Sequence, residues 1–306
     1  MKERLLDIIV CPLCKKEFAL KVIEKNGAEI TRGTLVCGGG HEYAIKGGIP
    51  RLVPSDEYVG NFSFEWKKFS KVQLDCFNGT AESEETFIQN TGFNKDTLRG
   101  KLVLDAGVGA GRYSDVVSRW GAEVVGIDLS FAVEAAYDNI GERDNVHLVQ
   151  ADIFHLPFKA ETFDHIFSIG VLHHTPDTRA AFRSLLPFLK ADGQIAVWLY
   201  AKYFERVQTV STVLRKITVK MPKKLLYYLT YIAVPLYYVP GRSALFPLMQ
   251  FSLHKNAKWR WLDTFDWYSP TFAWRHTYPE VYDWFKKEGL KDIELPEGLL
   301  SVKGRK

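Results

Sequence analysis

Val103-Leu104-Asp105-Ala106-Gly107-Val108-Gly109-Ala110-Gly111-Arg112-Tyr113 reads as a buried strand, an acid, three glycines at alternate positions and the start of a helix. Glycines at those positions permit positive φ in a sharp strand-to-helix turn and let a ligand touch bare backbone. A second strand follows, Glu123-Val124-Val125-Gly126-Ile127-Asp128, and its terminal acid stands 21 residues after Gly107. A ribose-binding carboxylate occupies about that place in nucleotide-binding α/β folds. The pattern is not the dinucleotide fingerprint, because Arg112 stands where its third glycine would be. An acid directly before the glycines suits a cofactor with a positive end better than a diphosphate.

With these residues the chain resembles the class I S-adenosylmethionine-dependent methyltransferases, of the branch that includes quinone-biosynthesis enzymes. Further blocks continue the likeness in order: Gln150-Ala151-Asp152-Ile153, Phe163 to His174, and Leu186 to Ile195, the last read as helix end, turn and strand. The resemblance implies an α/β, Rossmann-like, seven-stranded sheet built from residues 96–200 and 277–306. It also implies S-adenosylmethionine as cofactor. Asp105, Gly107, Gly109 and Gly111 would face its amino-acid end and Asp128 its ribose hydroxyls. Asp152 and the Ile153 N–H would meet the adenine, and Ser168 would wall the site beside the reactive methyl. The residue types suit these roles, since ionised carboxylates only accept hydrogen bonds and charge-assisted bonds are the stronger kind. His173 and His174 follow the fourth strand, where the family's active site opens; either is a candidate base, or a residue that only lines the pocket. The Asn/Asp-Pro-Pro-aromatic loop of methyltransferases acting on adenine amino groups or glutamine amides is absent; Ser168-Ile169-Gly170-Val171 stands there.

Residues 1–54 read as a small β-rich unit. Cys11-Pro12-Leu13-Cys14, then Cys37 and His41, form a Cys₃His set suited to tetrahedral zinc, with an unusual Gly38-Gly39-Gly40 run between the last two ligands. The stretch resembles the small zinc-ribbon-like activators of tRNA, rRNA and release-factor methyltransferases, above all over Gly48-Ile49-Pro50. The alternative is a metal-free β module with buried thiols. Cys76 has no sequence partner and is expected to be a partly buried thiol. Residues 55–95 read as a linker whose Phe62, Phe64, Trp66 and Phe69 fit an amphipathic helix over the cofactor or docked on the sheet.

Residues 201–276 read as a helical cap inserted after the fifth strand. They hold twelve Lys/Arg against three Asp/Glu, +9 in a chain of formal net charge +4, with sixteen aromatics. Leu225 to Val239 is apolar but too short to span a bilayer, and Pro235 interrupts it. Buried cap helices, peripheral membrane contact through residues 215–240, and a greasy lid over substrate are the three readings. Met1 leads into charged Lys2-Glu3-Arg4 rather than an apolar leader, and four cysteines in 306 residues suggest no disulfide framework, so a reducing cytoplasm is expected. The function expected is methyl transfer to a small, hydrophobic or lipid-like acceptor. An rRNA or tRNA base methyltransferase, or a non-catalytic cofactor-binding partner of another methyltransferase, are the competing readings.

Overall fold

The computed structural model describes residues 1–53, 71–202, 205–245 and 249–306. The linker helix expected around Phe62 to Phe69 therefore lies outside the described residues. Among the described residues eleven strands form one sheet in the order β1-β2-β3-β4-β7-β6-β5-β8-β9-β11-β10. The seven from β7 to β10 form the seven-stranded, Rossmann-like sheet that the resemblance implies. Of these, β5 (Leu102–Ala106), β6 (Glu123–Asp128), β7 (Val146–Ala151), β8 (Phe163–Ile169) and β9 (Leu189–Trp198) run parallel. The C-terminal β10 (Lys291–Glu294) and β11 (Ser301–Arg305) close the far edge, β11 lying antiparallel to β9. The parallel strands are mostly buried, as strands covered on both faces are; all six residues of β7 are buried, His147 and Gln150 included.

The remaining four strands are β1 (Phe18–Asn26), β2 (Glu29–Cys37), β3 (Glu42–Lys46) and β4 (Ile49–Leu52), joined as an antiparallel meander. β4 then pairs in parallel with β7, Arg51 opposite Gln150 and Leu52 opposite Ala151. The N-terminal segment, distinct in composition, is thus not separate in space. Leu5, Ile9, Ile30 and Leu35 share one core with Leu104, Val125, Val149 and Phe158. Val10 N–H donates to the Pro157 carbonyl at 2.8 Å, and the Lys2 ammonium caps the Gly141 and Val146 carbonyls at 2.7 and 3.0 Å. At Gly48 an added Cβ would lie 2.3 Å from the Tyr137 hydroxyl, so only glycine admits this approach.

The turn expected within Leu186 to Ile195 falls inside β9. Between the pairs Phe163–Leu189 and His165–Gln194 the register slips, and Asp192 takes φ 60°, so the strand bulges there and continues. Helix Tyr278–Lys287 starts at Thr277 with a reciprocal capping box to Glu280, and Gly289 follows its end at φ 78°. The insertion after β9 is helical, with helices Glu205–Thr218, Lys223–Thr230 and Ala257–Tyr268. A bridge between Ala201 and His276 closes its neck. Its own small core joins Leu226, Tyr227, Leu262, Phe265 and Tyr268. Cys76 is exposed rather than partly buried.

Candidate functional site

The glycine loop leaves β5 and turns into helix Arg112–Arg119 through three residues at positive φ: Gly107 (101°), Gly109 (52°) and Gly111 (89°). Val108 and Ala110 point inward and are buried, while Gly107 and Gly109 keep accessible surface. At Gly107 a Cβ would lie 2.3 Å from a Val171 methyl, and at Gly111 2.8 Å from Ile140 Cδ1. The alternation therefore has two causes, a left-handed backbone and the near approach of neighbours.

Three acids stand at or just past the carboxyl ends of adjacent strands, the place where open α/β sheets hold ligands. Asp105 is buried; its Oδ2 accepts the Ser114 hydroxyl at 2.7 Å. Burial, opposed by Ser114 and reinforced by the charge of Asp128, pushes its carboxyl up to about 7. Asp128 is half-buried; Oδ2 accepts Gly109 N–H at 3.0 Å, and Oδ1 accepts the Ser130 N–H and hydroxyl at 2.8 and 2.7 Å. Burial raises its carboxyl as well, against those three donors. Each carboxylate oxygen has a second lone-pair direction, so Asp128 is braced and still able to accept. Asp152 folds its own turn, accepting Phe154 N–H at 3.0 Å and pairing with His155 Nδ1 at 2.8 Å. Ile153 packs against the core, and its carbonyl accepts the Ser184 hydroxyl at 2.8 Å. Ser168 is fully buried and donates to the Ala106 carbonyl at 2.7 Å, tying β8 to β5.

The histidine pair divides in a way the sequence did not indicate. His173 is buried and stacked on Tyr200 with ring centroids 3.8 Å apart; its Nδ1 accepts Tyr200 N–H. His174 is half-buried and its Nδ1 lies 2.7 Å from the Phe272 carbonyl, an acceptor only, so that nitrogen carries the proton. The lone pair of His174 is therefore on Nε2. Burial, opposed by the Phe272 carbonyl, lowers His174 to about 4, and burial sets His173 well below the usual histidine range. Both stay neutral near pH 7.

The cap lies against the glycine loop. Arg112 is sandwiched between the Tyr113 and Trp259 rings at 4.8 and 4.9 Å, and His254 Nε2 meets Glu82 at 3.0 Å. Asp263, from the same cap helix as Trp259, accepts the Ser252 hydroxyl, and burial pushes it up to about 7. No sequence pattern pointed to Trp259 or Asp263 near Arg112, because long-range packing alone brings them there.

In the N-terminal segment one ligand atom from each of Cys11, Cys14, Cys37 and His41 falls within 4.8 Å of the others. Cys14 Sγ lies 3.5 Å from Cys37 Sγ, and His41 Nδ1 lies 3.3 and 3.6 Å from the sulfurs of Cys37 and Cys11. Zinc at about 2.3 Å from each sulfur of a tetrahedron requires edges of about 3.8 Å, close to these separations. The glycine run has a steric reason: a Cβ at Gly39 would lie 2.9 Å from Cys14 Sγ. Gly39 N–H also donates to Cys37 Sγ at 3.3 Å; burial would raise that thiol, but this bond and its neighbours bring it to about 6.

Two family models match the chain: a methyltransferase domain over residues 104–197 and a Trm112p-like protein over residues 2–48. A ubiquinone biosynthesis O-methyltransferase of Coxiella burnetii is 28% identical over 151 residues, which are 47% of this chain and 64% of that protein. A demethylmenaquinone methyltransferase of Thermobifida fusca is 34% identical over 105 residues, 33% of this chain and 44% of that protein. The chain thus spans less than two thirds of the length of these relatives. Among solved structures, an S-adenosylmethionine-dependent methyltransferase from Mesorhizobium loti is similar at 16% identity and TM-score 0.45, covering 75% of this chain and 99% of that one. The complex of the Haloferax volcanii Trm112 methyltransferase activator with a methyltransferase is similar at 19% identity and TM-score 0.38, over 47% of this chain and 62% of that one. One polypeptide here carries a stretch that matches Trm112p-like proteins and, after it, a stretch that matches a methyltransferase domain.

Proposed function

We propose that the chain is an S-adenosylmethionine-dependent methyltransferase acting on a small, apolar, quinone-like acceptor, with a structural zinc in its N-terminal segment. One observation carries the reading. Asp105 and Asp128 end neighbouring strands around a positive-φ glycine loop, with Asp128 braced by Gly109 N–H. Such a donor-poor, acceptor-rich cradle suits ribose hydroxyls and a cationic amino-acid end, and repels a diphosphate. Names of the relatives, ubiquinone and demethylmenaquinone among them, support the acceptor class.

Bound there, S-adenosylmethionine supplies a methyl group on a sulfonium centre, an electrophile activated by its own charge. The chain's part is placement and proton management. Asp128 holds the ribose, Asp105 and the loop hold the amino-acid end, and Asp152 with the Ile153 N–H faces the adenine. Ser168 fixes the wall between β5 and β8. Trp259 of the cap, over Arg112, and Tyr200 just past the end of β9, over His173, shield the site from water. His174, with its Nε2 lone pair free of the Phe272 bond, takes the proton of an acceptor hydroxyl; His173 supports its ring. The sulfurs of Cys11, Cys14 and Cys37 with His41 Nδ1 hold zinc, which ties the knuckle to β2 and β3 in a segment with little core of its own.

Titration calorimetry of the full chain with S-adenosylmethionine tests the reading. Asp128→Ala removes charge-assisted bonds to two hydroxyls and is expected to weaken binding about a hundredfold or more. Binding equal to wild type in a folded Asp128→Ala protein overturns it. Methylation of a hydroxylated quinone precursor, against none of a tRNA transcript, decides the acceptor class in the same preparation.

A further inference from the structure

Helix Lys223–Thr230 and the turn after it carry two apolar stripes. Leu226, Tyr227, Thr230 and Ala233 are buried, and Leu226 and Tyr227 pack with Leu262 and Phe265. On the other side Leu225, Tyr228, Leu229 and Ile232 stand at i, i+3, i+4 and i+7, exposed by 49, 64, 50 and 48%. That spacing defines a helix face made for burial, yet this one points away from the protein. Val213 and Ile217 repeat the pattern one turn apart on helix Glu205–Thr218, and Tyr231 and Tyr238 flank it, all at least half exposed. Residues 211–245 contain six Lys/Arg and no Asp or Glu. Arg215 and Lys223 are bound to the Pro270 and Ser269 carbonyls, whereas Lys216, Lys220 and Lys224 are exposed.

We propose that this face of the cap docks on an anionic lipid bilayer. Three features choose that occupant. An aliphatic stripe with tyrosines beside it matches the depth profile of a membrane interface, apolar below and hydrogen-bonding at headgroup level. Lysines without a single acid match negative headgroups. A second copy of the chain, docked with two-fold symmetry, would set these cations against themselves. A polyanion such as RNA would engage the lysines but leave Leu225, Leu229 and Ile232 in water. An eight-residue helix, about 12 Å long, lies in an interface and does not cross it, and no helix among the described residues is long and apolar enough to cross a membrane. The proposal deepens the reading of an apolar acceptor, because a docked cap takes such a molecule from the lipid in which it dissolves. Lipid binding is scored with neither cofactor nor acceptor present, so the two readings fail separately.

The test is co-sedimentation of the full chain with vesicles of phosphatidylglycerol and phosphatidylcholine in equal parts, or of phosphatidylcholine alone. Wild type is expected to pellet with the anionic vesicles and at least tenfold less with the neutral ones. Changing Lys216, Lys220 and Lys224 to Gln together should cost about a hundredfold in partitioning. Changing Leu225, Leu229 and Ile232 to Glu together should abolish it. All six residues face solvent, so melting temperature and S-adenosylmethionine affinity of both variants should equal wild type. The proposal is overturned if wild type stays in the supernatant or if either variant pellets like wild type. A dimer in sedimentation velocity that the glutamate variant dissolves overturns it in favour of self-association.

Discussion

Replacing Asp105 by Asn separates what the buried carboxyl does for the fold from what it does for the cofactor. Its folded-state value of about 7 lies above the ordinary 3.8. The fold thus prefers the protonated form. Stability is full below pH 3.8 and falls as pH rises towards 7. The gap converts to about 4 kcal/mol at about 1.36 kcal/mol per unit, an upper bound because a relaxing site recovers part of it. Asn keeps the shape and cannot ionise. The cofactor-free Asp105→Asn protein should therefore be more stable than wild type by about 2–4 kcal/mol at pH 8 and equal to it at pH 4. Binding runs the other way. A cationic amino-acid end selects the ionised carboxyl, so wild-type affinity should rise about tenfold per unit between pH 5.5 and 7 and then level off. The variant should bind more weakly with a flat profile. Differential scanning calorimetry at the two pH values measures the first effect. Titration calorimetry from pH 5.5 to 7.5, in buffers of different ionisation heat, measures the second and counts the released proton. Equal loss of stability in the variant at pH 4 and pH 8, or wild-type affinity independent of pH, refutes the reasoning.

Gly107→Ala drives a Cβ into Val171 in a left-handed backbone; the site should lose S-adenosylmethionine binding at least tenfold, read by the same calorimetry, and Val171→Ala should restore only part of it because the φ strain remains. Purified protein should contain about one zinc per chain by atomic emission, and Cys37→Ser should lower both zinc content and melting temperature; a zinc-free protein with the wild-type melting temperature contradicts the metal assignment. Because His174 is lowered to about 4, turnover should be flat from pH 6 to 9 as far as this base is concerned. His174→Gln should cut kcat about a hundredfold or more with little change in KM; at saturating S-adenosylmethionine, where the ionisation of Asp105 no longer limits binding, a wild-type kcat that falls with an apparent pKa between 6 and 7 speaks against His174 as the base.

Much of this was legible in the chain because it is local. The acid-glycine-glycine-glycine pattern needs only a strand, a turn and a helix start, and those lie within eleven consecutive residues. Thr277 announces its helix through Glu280 three positions on, and the Cys₃His set is readable because metal ligation restricts residue type. What escaped is non-local. Ile49-Pro50-Arg51-Leu52 carries a proline, yet it is a strand, since Pro50 costs the ladder only one donor, and nothing local says that Arg51 and Leu52 pair with β7. The bulge at Asp192 shows no periodicity break large enough to tell a turn from a continuing strand. The assignment of the histidine lone pair depends on the Phe272 carbonyl, 98 residues away. The outward stripe on the cap was visible as apolar sequence, but nothing in the sequence says which of two apolar faces lacks a partner.

The seam between β4 and β7 also orders events in time. Leu52 is synthesised 94 residues before Val146, the first residue of the strand it will lie beside. At about 5–20 residues per second, roughly 5–20 seconds separate the two on the ribosome. Through that interval β4 presents an open edge, the kind of surface that recruits stray strands. The nascent N-terminal segment must wait for its neighbour, and early capture of a metal by the knuckle would keep it from pairing elsewhere.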